Sequence, residues 1–307
     1  MTRRLLATGY GEPATVLSLV DVDAASPGDG EVVVSIEAAG LNPFDVKRVH
    51  GAMGADPAKL PLVLGGEAAG AVRVAADGTG FAPGDRVVVY PATGAFADEI
   101  VAPVTNVHRL PDAVTTETAA GLLLAGVTAY DTIATVDVGA DDVVLIHGGS
   151  GAVGSVATSL AVARGATVIA TASPANHEYL RGLGATPIGH DGDIAASVRA
   201  AVDAPVSAVI DTVGNDAAID ASLQLVPADR IVSIAAFGRA DDGIVLLDGS
   251  SEASRAHRRD AVRPLLDAVA DGRIAVDIAA TYPLTEAAAA FDALAGPHPR
   301  GKYLIVP

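Results

Sequence analysis

The chain has 307 residues, enough for two domains and a sizeable core, and its 50% hydrophobic and 19% charged content describes a folded globular protein rather than a disordered one. A formal net charge of −17 repels phosphate backbones and anionic lipid, so neither nucleic acid nor a membrane surface is an expected partner. Cysteine is absent, which excludes disulfides, thiolate nucleophiles and Cys-type zinc sites.

The first residues, MTRRLLATGYGEP, hold too short an apolar run for a signal-peptide core, and no later apolar stretch is long enough to span a bilayer. A cytoplasmic protein is expected. The first third of the chain is turn-rich. EVVVSIEAAG (residues 31–40), GAVRVAA (70–76) and DRVVVYP (85–91) are short β-branched runs bounded by Gly, Pro and Asp, which predicts an irregular, barrel-like β domain. From Thr116 the pattern turns helical, with Thr116 as N-cap and Glu117 in the first turn.

Strands and helices then alternate. Strands are expected over residues 143–147 and 167–171, with helices over 153–164 and 176–183. VSAVIDTVG and RIVSIAAFG predict two further buried strands, separated by a helix around 216–225. Apolar runs this continuous suit a parallel sheet covered on both faces, built from right-handed βαβ units. A long helix over about 254–271 and a last strand in GKYLIVP complete the pattern.

One stretch carries recognisable chemistry. In DVVLIHGGSGAVGSVA (142–157), Gly149-x-Gly151-x-x-Gly154 follows a strand directly and opens a helix. The first glycine of such a turn permits the sharp bend, the second lets backbone approach a pyrophosphate, and the third lets helix pack close on strand. Free N–H groups and the positive helix end then face the phosphates, so Gly149, Ser150, Gly151, Ala152, Val153 and Gly154 are the expected dinucleotide cradle. The choice of nucleotide is made about twenty residues on. The segment from Thr167 to His177 contains no acid to repel a 2′-phosphate, while Ser173, Asn176 and His177 supply hydrogen-bond donors. NADP(H) is favoured, although no arginine sits on the turn itself and a neutral edge would accept either cofactor.

Several segments, in order, resemble the medium-chain dehydrogenase/reductase superfamily, most of all its zinc-independent quinone oxidoreductases: AAGLNPFDVKRVHG (38–51), LGGEAAGAV (64–72), GFAPGDRVVV (80–89), LAGVTAYD (124–131), the glycine turn, and RGKYLIVP (300–307). The resemblance runs nearly end to end. It implies an α/β protein with a GroES-like β-barrel-type domain, residues 1–118 completed by 274–307, and a doubly wound Rossmann domain over residues 119–273. It also implies a homodimer or homotetramer. Zinc-dependent relatives have a Cys and a His where this chain has Asn42 and Gly66, beside the retained Glu67, so no metal is expected.

The activity implied is metal-free hydride transfer from NADPH to a small quinone or α,β-unsaturated carbonyl. The alternatives are an enoyl-thioester reductase, which requires a basic patch for a carrier phosphate, and a non-enzymatic NADPH-binding redox sensor of the same fold. By resemblance Asn42 lies beside the nicotinamide, where its amide is a donor for a developing oxyanion; the plainer reading is a turn residue before Pro43. Lys47 stands where relatives often have tyrosine, and either holds that oxyanion or snorkels to solvent. Asp45 more readily orients its loop than acts as an acid. Thr128 resembles a threonine near the nicotinamide, Val213 with Ala235, Ala236 and Phe237 occupies the strand ends that cradle its ribose and carboxamide, and Lys302 closes over the cofactor or is solvated. With only 4% aromatics and no Trp, no stacking platform for a large flat quinone is expected.

Overall fold

A computed structural model describes residues 1–307. The chain forms two compact units, Met1–Leu124 with Leu266–Pro307, and Ala125–Leu265. Both boundaries fall inside long helices.

The first unit opens with β1 (Thr2–Ala7), the single turn α1 (Pro13–Val16) and β2 (Leu17–Val22), the two strands being paired antiparallel. Then come β3 (Glu31–Leu41), the short helix α2 (Pro43–Val49), β4 (Leu62–Val63), β5 (Ala68–Ala75), β6 (Arg86–Val89), β7 (Glu99–Pro103) and β8 (Val107–Arg109). The turn read before Pro43 is in fact the start of α2. Proline at the first helical position costs no hydrogen bond there, and Asp45 at the third accepts from the Asn42 N–H at 3.1 Å.

Helix α3 (Thr116–Thr135) crosses into the second unit. There, β9 (Val143–His147), α4 (Ala152–Ala163), β10 (Thr167–Thr171), α5 (His177–Gly182), β11 (Thr186–Ile188), α6 (Ile194–Ala201), β12 (Ala208–Asp211), α7 (Asp216–Leu223), β13 (Ile231–Ser233) and β14 (Val245–Leu246) alternate as expected. All six strands are parallel, in the order β11-β10-β9-β12-β13-β14. The strand order therefore reverses between β9 and β12, and in open α/β sheets a ligand crevice lies at the carboxyl ends of strands at such a point. Within this unit the buried Asp131 of α3 accepts from Ser254, from Arg258 Nε at 3.0 Å and lies 3.0 Å from His257 Nδ1, fixing the start of α8 (Glu252–Ala270).

α8 returns the chain to the first unit, where β15 (Ile278–Pro283), α9 (Ala287–Ala295) and β16 (Lys302–Val306) complete it. Strand β3 organises this unit's larger sheet. One edge pairs with β5; the other pairs with β7 over residues 31–35 and with β16 over residues 39–41. The C-terminal strand is thus integral to the N-terminal sheet. Phe291 of α9 meets Phe96 edge to face at 6.0 Å in the same core.

Candidate functional site

The glycine turn sits at the end of β9. Its left-handed residue is Gly148, at φ 73°, rather than Gly149 as the motif alone suggests. A Cβ on Gly148 would lie 2.6 Å from Thr212 Oγ1, because the loops after β9 and β12 approach each other at the reversal point. Gly149 is required for packing, since its Cβ would meet that of Ala170 at 2.6 Å. A Cβ on Gly154 would fall 2.2 Å from the Gly148 carbonyl oxygen, so only glycine lets α4 start this close to the turn. The N-cap of α4 is Gly151, with no side chain to cap it, and the first i→i−4 bond runs from Ser155 N to Gly151 O at 2.9 Å. The N–H groups of Ala152, Val153 and Gly154 therefore have no acceptor within the helix. That unfilled positive end fits a pyrophosphate.

Ser173, Asn176 and His177 lie together just past β10. Asn176 Nδ2 donates to Ser173 Oγ at 3.1 Å, which leaves the serine hydroxyl hydrogen available. His177 Nε2 donates to the Ala172 carbonyl at 3.2 Å, so its Nδ1 faces elsewhere. Arg181 pairs with Glu178 at 3.2 Å.

Past β12 and β13 the chain is shaped by a pair of residues the sequence did not single out. Asp211, fully buried, accepts from Val213 N and Gly214 N, and from Ser233 Oγ at 2.5 Å. Ser233 Oγ in turn accepts from Ala235 N and Ala236 N. These bonds end β13 at Ser233 and leave Val213 and Phe237 half exposed. Arg239 then pins the following segment to Asp216, Asp220 and Asp242 at 3.0, 2.7 and 2.6 Å. Thr128 is buried in α3. Buried His147, 3.0 Å from Ser222 Oγ, is pushed down to about 4 by burial and stays neutral.

In the first unit the expected residues part company. Asn42 is 2% exposed, and both amide hydrogens are committed: Nδ2 donates to Gly40 O at 3.1 Å and to Glu67 Oε1 at 3.0 Å. Its Oδ1 accepts from Lys302 Nζ at 2.5 Å. Neither amide hydrogen of Asn42 is left unused. Lys302 is neither solvated nor at the surface. It is 5% exposed, and its ammonium also donates to Glu67 Oε1 at 3.1 Å. Glu67 Oε2 accepts from Leu124 N at 2.7 Å. Lys47 is exposed on α2.

Next to this network lies a cavity of about 770 Å³, wholly within the first unit. Tyr10, Phe44 and Tyr90 form aromatic walls, Arg48 and Lys59 supply cations, and Asp45 faces in beside Gly65. The fold thus gathers three aromatic side chains from distant segments around one cavity. Burial pushes the Asp45 carboxyl up to about 6, against the opposing bonds from Asn42 N and Gly65 N and the nearby Lys302 charge.

A β unit with a buried polar network, joined to a doubly wound unit with a glycine-rich turn after its first strand, is the architecture of an alcohol-dehydrogenase-like oxidoreductase. Two family models match, one described as alcohol dehydrogenase GroES-like domain over residues 28–112 and one as zinc-binding dehydrogenase over residues 183–305. The quinone oxidoreductase of Pseudomonas syringae pv. Tomato DC3000 is 31% identical, with full coverage of both chains and a TM-score of 0.85. The Escherichia coli quinone oxidoreductase, solved with NADPH, is 27% identical over both full chains at a TM-score of 0.87. The mouse synaptic vesicle membrane protein VAT-1 homolog is 32% identical over 75% of this chain, a match that spans 58% of that protein's length. The chain belongs to the medium-chain dehydrogenase/reductase family, in its quinone oxidoreductase-like branch.

The zinc in one model's description finds no fit here. Asn42 and Gly66 offer neither thiolate nor imidazole, the Glu67 carboxylate is filled by Asn42, Lys302 and Leu124, and the Lys302 ammonium already supplies a positive charge.

Two predictions follow from this geometry. Lys302→Met leaves Glu67 buried without its cation and lowers stability by about 3–5 kcal/mol in equilibrium urea unfolding. Adding Glu67→Gln recovers part of that loss, whereas a loss below about 1 kcal/mol for the single variant would mean the ion pair is not held as described. Asp45 binds its proton more tightly folded than unfolded, so its ionisation destabilises the fold as pH rises from about 4 to about 6. Relative to wild type, Asp45→Asn gains about 2 kcal/mol between pH 4 and pH 7. An unchanged difference across that range would show that Asp45 ionises normally.

Proposed function

We propose that the protein is a zinc-independent, NADPH-dependent reductase that delivers hydride to a quinone or an α,β-unsaturated carbonyl. The observation that carries this reading is the partly open cavity of about 770 Å³ lined by Tyr10, Phe44 and Tyr90, of a size suited to one small flat molecule, in a chain that also holds an uncapped glycine-rich helix start. When bound, the nicotinamide supplies the hydride. The backbone N–H groups of Ala152, Val153 and Gly154 hold the pyrophosphate, and the Ser173 hydroxyl with Asn176 receives the 2′-phosphate. The loops that Asp211 and Ser233 fix place Val213, Ala235, Ala236 and Phe237 against the nicotinamide end. Asn42, Asp45 and Lys302 hold α2 in place so that the cavity keeps its shape. Lys47, exposed on the same helix, is not among the residues that line the cavity, so this reading gives it no contact with the acceptor.

Oxidation of NADPH and NADH followed at 340 nm tests the reading, with 1,4-benzoquinone, 9,10-phenanthrenequinone, an alkenal and a crotonyl thioester as acceptors, with and without EDTA. The expected result is NADPH-selective, EDTA-insensitive turnover on quinones or the alkenal. Ser173→Asp places a carboxylate where the 2′-phosphate binds and raises the KM for NADPH at least tenfold while that for NADH improves. Tight NADPH binding without turnover on any acceptor would leave a sensor. Turnover confined to the thioester would make it an enoyl-thioester reductase.

A further inference from the structure

The cavity's walls carry more information than its size. In a chain with 37 acidic and 20 basic residues, a cation usually finds a carboxylate. The exposed arginines of the same unit do so: Arg3 meets Asp98, Arg73 meets Glu99 and Arg109 meets Asp85, each at 2.7 Å. Arg48 and Lys59, which line the cavity, form no ion pair. Arg48 spends one guanidinium nitrogen on the Val63 carbonyl at 3.2 Å and lies 5.7 Å from the Phe44 ring centroid, which leaves the rest of its fork unused. Lys59 closes the 3₁₀ turn Pro57–Lys59, whose N-cap Asp56 turns its carboxylate back onto Ala58 N at 3.0 Å instead of toward the ammonium.

The one carboxyl in the wall does not neutralise them. Asp45 is buried and takes its bonds from Asn42 N and Gly65 N. The Tyr10 hydroxyl donates outward to Asp56 O at 2.9 Å, so this residue offers the cavity a ring rather than a donor. Phe44 and Met53, large apolar groups lining the cavity, stay 46% and 57% exposed. Two cations without an ion pair and an apolar, aromatic surface thus line one partly open cavity.

We propose that the molecule this cavity takes is an aromatic or enone-type acid, its flat skeleton against Tyr10, Phe44 and Tyr90 and its carboxylate held by Arg48 and Lys59. This rests on the reductase reading for its chemistry, but not for its recognition. The anion belongs inside the cavity with the carbon skeleton, because both cations line that volume. A phosphate on a long thioester carrier would present the same charge and is the competing source of it.

Binding measured without NADPH separates these ideas. The chain has no Trp, so the fluorescence of 2-naphthoate reports its own environment, and methyl 2-naphthoate and 2-naphthyl phosphate complete the series. The acid is expected to bind at least tenfold more tightly than its ester at low ionic strength, with the preference shrinking as salt is added. Arg48→Met and Lys59→Met should each cut that preference at least threefold, and Lys59, with an exposed side chain, serves if the Arg48 variant does not fold. Equal affinity for acid and ester, or a preference untouched by either variant, overturns the proposal. Binding of the phosphate more than tenfold tighter than the acid overturns the carboxylate in favour of a carrier phosphate. If the acid preference holds while no acceptor is reduced, the reductase reading fails and the acid site stands.

Discussion

A buried ammonium is the constraint on which much of the first unit depends. Lys302, at the start of the last strand, has almost no solvent and must be answered by protein oxygen. The answers come from Asn42, at the end of β3, and from Glu67, at the start of β5. Three segments far apart in sequence are thereby held at one point, and their neighbours have little freedom left. A Cβ on Gly40 would lie 2.3 Å from Glu67 Oε1 and 2.4 Å from the Ala120 carbonyl, so only glycine fits there. Because Asn42 is also the N-cap of α2, the same network sets where that helix begins and which of its residues face the cavity. Asp45 and Arg48, three residues apart, share a helix face; Lys47 does not share it.

The second unit solves a related problem with backbone instead of side chains. On the proposed reading its strand ends present donors to an anionic cofactor, yet the glycine turn carries no basic residue. The uncapped start of α4 supplies N–H groups whose direction is set by the helix, and glycine at 148, 149 and 154 lets the surrounding loops come close enough to aim them. Asp211 plays for this unit the part that Glu67 plays for the other. It is a buried carboxylate that accepts from backbone N–H groups and a neighbouring hydroxyl, so its charge is distributed over hydrogen bonds and shapes two loops at once.

Much of this was legible in the sequence, and the exceptions have physical reasons. The strands at 143–147 and 167–171 fall where the apolar runs place them, because a strand buried on both faces is written as a continuous apolar segment. RIVSIAAFG reads as one such strand, but β13 stops at Ser233, whose hydroxyl takes the N–H groups of Ala235 and Ala236 and turns the chain. That event depends on Asp211, twenty-two positions earlier, and no local pattern reports it. The Asn-Pro pair at 42–43 is a frequent turn opener and also a valid helix start; Asp45 decides between them. The sequence offered Asn42 as a free amide donor, but in the fold its hydrogen bonds go to Gly40, Glu67 and Lys302, the last two 25 and 260 residues away and brought near only by the fold. The aromatic walls escaped notice for the same reason, since composition counts aromatics but does not gather them.

The overall charge and the local chemistry act on different length scales. At physiological ionic strength the field of a net −17 chain fades within about 8 Å of its surface, so it biases the approach of an anion more than it decides the contact. Inside that distance the donors are few and specific: a helix end in one unit, a guanidinium and an ammonium in the other. A helix end cannot be neutralised by a passing carboxylate side chain without that side chain becoming its cap, and Gly151 removes that possibility at its source. Side-chain cations have no such protection, and in an acidic protein they are readily quenched by neighbours, as Arg3, Arg73 and Arg109 are. Arg48 and Lys59 escape because the carboxylates closest to them in sequence, Asp45 and Asp56, are each tied to backbone N–H groups. Keeping the acids occupied is what keeps the cations available.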